Sequence, residues 1–163
     1  MVFVQSRLKS MKCNGNKLRC YKNVKRLPVE YEANKNAWMT SDIWRKWLKK
    51  VNKQMRHKKR QIVMLCDNCA AHSSDVKLTN VKLVFMPPNT TSLIQPLDQG
   101  IIANFKQHYR SSVLRHLMGV MKTSDNDERV AEVARKLTPL DSLHMQKAAL
   151  GRVTTETIVN YYR

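Results

Sequence analysis

Two short, uninterrupted apolar runs set among longer stretches of helical periodicity predict an α/β fold. The runs are Gln61–Cys66 and Val81–Phe85. Continuous runs of this length suit strands covered on both faces, and strands interleaved with amphipathic helices indicate α/β rather than a bundle. Size is the third observation. The chain has 163 residues, 42% of them apolar and 26% charged, with 4 Gly and 5 Pro. That is one domain with a real core, 1–163, and not a disordered or fibrous chain.

The elements follow in order. Residues 1–37 have weak periodicity and read as a short strand, Val2–Val4, then irregular basic chain in which Pro28 limits any helix. A helix begins near Ser41, where Thr40 or Ser41 can cap it and Asp42 sits at the positive end of its dipole. Trp44, Trp47, Leu48, Val51 and Met55 form its apolar stripe. The strand at 61–66 stops at Asp67-Asn68, and Pro87-Pro88 ends the strand at 81–85. Asn89–Ser92 is turn-rich. A long helix runs from Leu97 or Asp98 to Met118, and further helical stretches lie near Asp127–Leu137 and Thr154–Tyr162. Trp38, Phe105 and Tyr109 are expected in the core with Trp44 and Trp47.

Charge is the unusual quantity. Thirty Lys and Arg against twelve Asp and Glu give +18 and a pI near 10.1. Residues 1–60 hold 18 of the basic residues and three of the acids (Glu30, Glu32, Asp42), a net +15. A chain so charged repels itself unless a polyanion screens it, and nucleic acid is the commonest such partner. Arg45, Lys46, Lys49, Lys50, Lys53 and Arg56 cover the polar side of the helix at 41. That side is a solvated helix back, a phosphate-facing surface, or a membrane-surface or calmodulin-target face. No apolar run approaches the ~18 residues of a membrane span, and the N-terminal apolar stretch is too short for a secretory signal. Four cysteines without such a signal suggest free thiols in a reducing compartment.

Two acids stand out. Asp67 ends a strand, where α/β sheets place their sites. Asp98 opens the long helix and, at 100° per residue, falls on the side of Ile101, Ile102, Phe105, Tyr109 and Val113. A carboxylate on that inward face needs a partner. It is either a helix cap or a ligand that meets Asp67 around a divalent cation. Cys66-x-x-Cys69 lacks the second pair that a zinc site wants, so a strand cysteine beside a loop cysteine is the better account.

The run Leu65-Cys66-Asp67-Asn68-Cys69-Ala70-Ala71-His72 resembles the L-x-D-N-x-x-A-H segment of DDE-superfamily transposases of the pogo/Tigger/jerky type. Residues 81–102, with Pro87-Pro88-Asn89-Thr90-Thr91-Ser92 and Gln95-Pro96-Leu97-Asp98-Gln99-Gly100, are similar to that family's V-x-x-x-x-P-P-N-T-T-S-x-x-Q-P-x-D-Q-G segment. Cys20–Val24 and Ala33–Thr40 add to the likeness, which covers roughly residues 18–160. The resemblance implies an RNase H-like fold: a mixed five-stranded sheet flanked by helices, with three carboxylates around two Mg²⁺ or Mn²⁺ ions. It also implies Asp67 and Asp98 as catalytic and metal-binding residues, with Asn68, His72 and Gln99 in supporting places; by its own position His72 is a ligand, a base or the residue that orients the Asp67 loop, and Asn68 holds the Asp67 carboxylate or is a turn residue. Two such cations about 3.5–4 Å apart would activate a nucleophile and stabilise the leaving oxygen of a phosphodiester.

The chain departs from the family pattern in one place that matters. The family's first acid lies on the first strand, and no acid occurs here before Glu30. Glu30 and Glu32 lie in a loop that the likeness puts outside the site. Leu150-Gly151-Arg152 stands where the family often carries a Trp-acid pair. The expectation is therefore an N-terminally truncated DDE domain, lacking its first strand, that binds DNA through Arg45, Lys46, Lys49, Lys50, Lys53 and Arg56. It is expected to be nuclear, to hold metal weakly or not at all, to cut no strand, and to self-associate through unpaired strand edges. The alternatives are an active Mg²⁺-dependent endonuclease or transposase, and a non-catalytic protein-interaction module.

Overall fold

The computed structural model describes residues 18–34, 38–90, 95–123 and 130–162. The expected strand Val2–Val4 lies outside them. A 3-10 turn at Arg19–Tyr21 precedes helix α1 (Ser41–His57). Strands β1 (Ile62–Cys66) and β2 (Val81–Phe85) follow. A single π-helical turn, Leu97–Ile101, then leads into α2 (Ile102–Thr123). Helices α3 (Val130–Lys136), α4 (Pro139–Arg152) and α5 (Thr155–Asn160) close the chain.

Helix α1 starts where its sequence says it should. The Thr40 hydroxyl accepts from the Ile43 N–H at 3.4 Å, and Asp42 lies in the first turn. Its buried stripe is Trp44, Trp47, Leu48 and Val51, and it packs with Cys66 and Val81 on one face of the sheet. The two strands pair in parallel, Ile62 with Val81 through Cys66 with Phe85. Parallel pairing needs a crossover of a dozen or more residues, and residues 67–80 supply it without a helix. Two contacts with α1 hold that crossover. The Trp44 indole N–H donates to the Ser73 carbonyl at 3.1 Å, and the Asn52 amide oxygen accepts from the Thr79 and Asn80 N–H groups at 3.0 and 2.8 Å.

Several expectations are corrected. The strands are covered on one face only: Val63 (62%), Leu65 (46%) and Val84 (37%) are exposed on the other. The apolar run is compatible with two covered faces, but α1 covers one and no described element covers the second. The mixed α/β character agrees with the expectation, with two parallel strands among the described residues. Trp38 is 60% exposed, so only two of the three tryptophans enter the core. The long helix continues to Thr123, and α4, a fourteen-residue helix, is not among the expected elements. Its signal is Thr138-Pro139-Leu140-Asp141. Proline suits the first helical position, and the Thr138 hydroxyl and Asp141 carboxylate cap each other's backbone N–H groups. Phe105 is buried and stacks on half-buried Tyr109 at 6.4 Å, and Tyr109 shares a 2.9 Å hydrogen bond with Ser142 that ties α2 to α4.

Candidate metal centre and cationic surface

The end of β1 delivers Asp67 to an open cleft, and the π turn delivers Asp98 to the same cleft. Asp67, Asn68, Cys69, Pro87, Pro88, Asn89 and Asp98 line it. The two acids named from sequence are thus brought together across thirty intervening residues, with Asn68 beside them. Gln99 follows Asp98 in the π turn, where its backbone alone is described.

His72 lies behind Asp67. Its Nδ1 sits 2.5 Å from Asp67 Oδ1, and both atoms are buried. The imidazole lies tilted against Trp44, with ring centroids 4.2 Å apart. The His72 N–H also donates to the Cys69 carbonyl at 2.8 Å, closing the loop between them. One carboxylate oxygen of Asp67 is therefore turned inward against His72. The side chain as a whole is 34% exposed, so the rest of the group faces the cleft.

Asp98 differs from expectation: it is exposed rather than on the inward face. It lies within a π turn, where the regular 100° count does not hold. The Ile102 N–H reaches back to the Leu97 carbonyl, five residues upstream, which inserts one residue into the helical register. Gly100 in that turn is held against Tyr161, where a Cβ would lie 1.9 Å from the ring Cζ. Tyr161, just past α5, thus lies against the segment that presents Asp98.

The donor set is two carboxylates and the amides of Asn68 and Asn89. These are hard oxygen ligands of the kind Mg²⁺ and Mn²⁺ prefer, so the residues fit one such ion. Among the described residues no group of three or more His, Cys, Asp or Glu could hold a metal. Cys66 is buried, and burial followed by the neighbouring Asp67 carboxylate pushes its thiol up to about 11. A thiol held protonated is a poor metal ligand and a poor nucleophile.

The basic face of α1 divides in two. Arg45 donates to Asp42 and to Asp75, at 2.9 and 3.0 Å. Lys46 is bonded to Glu32, and Lys50 to Glu30. Glu30 and Glu32 thus lie along α1 and not in the cleft. Their spacing carried the signal. Two residues along an extended chain span roughly 6.6 Å, close to the roughly 6 Å between helical positions four apart, so the pair matches Lys46 and Lys50 in reverse order. Lys49, Lys53 and Arg56 are exposed and make no ion pair among the described residues.

One carboxylate from a strand end and one from a helical turn thus share a cleft. The model of the DDE superfamily endonuclease family matches residues 5–162, and the chain belongs to that family. It is 34% identical to Tigger transposable element-derived protein 4 of Mus musculus over 144 residues, covering 88% of this chain and 26% of that protein. It is 30% identical to major centromere autoantigen B of Mus musculus over 138 residues, covering 84% and 22%. It is 33% identical to Jerky protein homolog of Homo sapiens over 109 residues, covering 60% and 19%. The chain thus spans about a quarter of the length of these relatives or less. No solved structure matches it. The likeness to Tigger- and jerky-type proteins read from residues 65–72 and 81–102 is the true one, and the family match extends it toward the N-terminus. No helix among the described residues is long and apolar enough to cross a membrane.

Proposed function

We propose that this chain is a DNA-binding DDE domain of RNase H-like fold that holds one divalent cation weakly between Asp67 and Asp98 and does not itself cut DNA. The observation that carries the reading is the shared cleft of Asp67 and Asp98. In a parallel pair of strands, an acid at the end of the first and an acid on the helix after the second agree with the RNase H-like order of the family's later two acids. The net +18 supports duplex DNA as partner through counterion release. A nuclear location fits a DNA partner and the centromere in the name of one relative.

A bound Mg²⁺ or Mn²⁺ would supply electrostatic activation of a phosphodiester. Asp67 and Asp98 would hold it, Asn68 and Asn89 would add neutral oxygens, and His72 fixes the direction of Asp67. Two carboxylates do not provide the ligands for a two-cation arrangement, and Glu30 and Glu32 are engaged by α1. The active-endonuclease reading keeps one specific support: His72, backed by Trp44, holds one oxygen of Asp67 in a fixed direction.

The test combines Mn²⁺ titration, supercoiled-plasmid nicking and duplex-DNA binding across a salt series. The parent is expected to bind Mn²⁺ weakly, Asp67→Ala and Asp98→Ala to lose that binding, DNA affinity to fall steeply with salt, and no plasmid to be nicked. Nicking by the parent that disappears in both variants would replace this reading by the active one. Mn²⁺ binding untouched by either variant would remove the cleft from the argument.

A further inference from the structure

We infer that the DNA-contacting surface is a narrower patch than the basic face of α1: the crest Lys49, Lys53 and Arg56, continued by the turn Lys58-Lys59-Arg60. This rests on the DNA-binding reading above and specifies where it acts. The six cations are exposed, and none makes an ion pair among the described residues. At 100° per residue, positions 49, 53 and 56 fall within about 60° of one another, opposite the buried Trp44–Val51 stripe. They form a ridge about 10 Å long, since seven residues rise ~1.5 Å each. Arg45 on one flank is turned to Asp42 and Asp75, and Lys46 and Lys50 on the other to Glu32 and Glu30. Those three cations fasten the 30–32 segment and the crossover to α1. Each would have to break its pair before meeting a phosphate.

The end of the helix adds an independent observation. The Arg60 N–H bonds the Met55 carbonyl and the Lys59 N–H bonds the Arg56 carbonyl, both at 3.0 Å. This is a Schellman turn, and Lys59 occupies its left-handed position with φ of 52°. Glycine is the usual residue there, because a Cβ is disfavoured. Cations near a helix C-terminus are favoured by its dipole, which accounts for basic residues in the last turn. The dipole does not require one at the position where glycine folds more easily. A lysine kept at a conformational disadvantage, beside Lys58 and Arg60 and in line with Arg56, has the character of a phosphate contact.

Lys59→Gly separates the two accounts. It is expected to raise the thermal midpoint by roughly 2–4 °C, as relief of a left-handed non-glycine predicts. It should also lower duplex-DNA affinity and reduce the slope of log K against log salt by about 0.9, one phosphate contact. Lys49→Gln/Lys53→Gln/Arg56→Gln is expected to reduce that slope by about 2.7. The charge-neutral variants Lys46→Gln/Glu32→Gln and Lys50→Gln/Glu30→Gln are expected to leave it unchanged. Thermal midpoints measured beside each titration confirm that the variants are folded. If the parent binds DNA steeply with salt and the crest variant and Lys59→Gly keep its slope, the patch is overturned while DNA binding stands. The patch is likewise overturned if the neutral pair variants lose as much slope as the crest variant. A parent that shows no salt-dependent binding overturns the DNA-binding reading itself.

Discussion

Trp44 links the core to the cleft, and Trp44→Phe measures how much that link contributes. Trp44 is 5% exposed, its indole N–H donates to the Ser73 carbonyl at 3.1 Å, and its ring packs against His72 with centroids 4.2 Å apart. Phenylalanine keeps an aromatic ring but removes the donor, leaving a part-buried carbonyl without its partner. That loss is worth about 1–1.5 kcal/mol. The smaller ring also leaves a void beside His72 and Trp47, a partial version of the 3–5 kcal/mol that full truncation of a buried aromatic costs. Together these give about 2–3 kcal/mol. For a chain of this length each kcal/mol moves the midpoint by about 2–4 °C, so circular-dichroism melts are expected to show a fall of roughly 5–10 °C. Trp38→Phe, at a site 60% exposed, is the control and is expected to stay within about 0.5 kcal/mol. Amide exchange should quicken at His72, whose N–H bonds Cys69 within the supported loop. A Trp44→Phe midpoint within a degree or two of the parent, or an equal loss in Trp38→Phe, would refute the claim that this contact anchors the Asp67 loop.

Two further outcomes are expected. Gly100→Ala puts a Cβ about 2 Å from the Tyr161 ring and should destabilise by about 1–3 kcal/mol. The loss should vanish in a Tyr161→Ala background, which denaturant titration of the double-mutant cycle would read. Thr138→Ala removes the cap of α4 and should cost about 1 kcal/mol near neutral pH. The Thr138 hydroxyl and then its backbone N–H hold the Asp141 carboxyl below its ordinary range. A carboxyl lowered on folding stabilises above its unfolded pKa, near 3.9. That contribution is lost as pH falls through the depressed folded value. The gap between parent and variant should accordingly narrow on acidification, which melts at neutral and strongly acid pH would check.

Much of this architecture is legible in the sequence because it is set by local rules. The apolar runs at 62–66 and 81–85 form strands, and Thr40 caps a helix whose stripe is regular in the sequence itself. Asp67 and Asp98 stand out by position, and the fold brings them to one cleft. The failures share one physical origin, which is that periodicity assumes an unbroken register and a uniform surround. A 3.6-residue count through Leu97–Ile101 turns Asp98 inward because nothing local announces a π turn. A tryptophan is core by its chemistry, yet Trp38 lies in a segment with no apolar stripe to join. The six basic residues of α1 look equivalent on a helical wheel, and only tertiary placement of Glu30, Glu32 and Asp75 distinguishes them.

The sheet face that no described element covers has a colloidal consequence. Ile62–Cys66 is a five-residue stretch of β-forming apolar residues with no charge, and Val63 and Leu65 stand in solvent. Such a segment favours cross-chain pairing unless charges flank it. Lys58, Lys59 and Arg60 precede it, Asp67 follows it, and Lys82 stands exposed on the neighbouring strand. These are gatekeepers, and they act at a distance set by the medium. At ~0.1 M salt, like charges are felt over ~10 Å; at ~1 M the range shrinks to ~3 Å, less than one strand spacing. The solubility of this chain is therefore a property it shares with its buffer, strongest at the low ionic strength where its charge also draws polyanions.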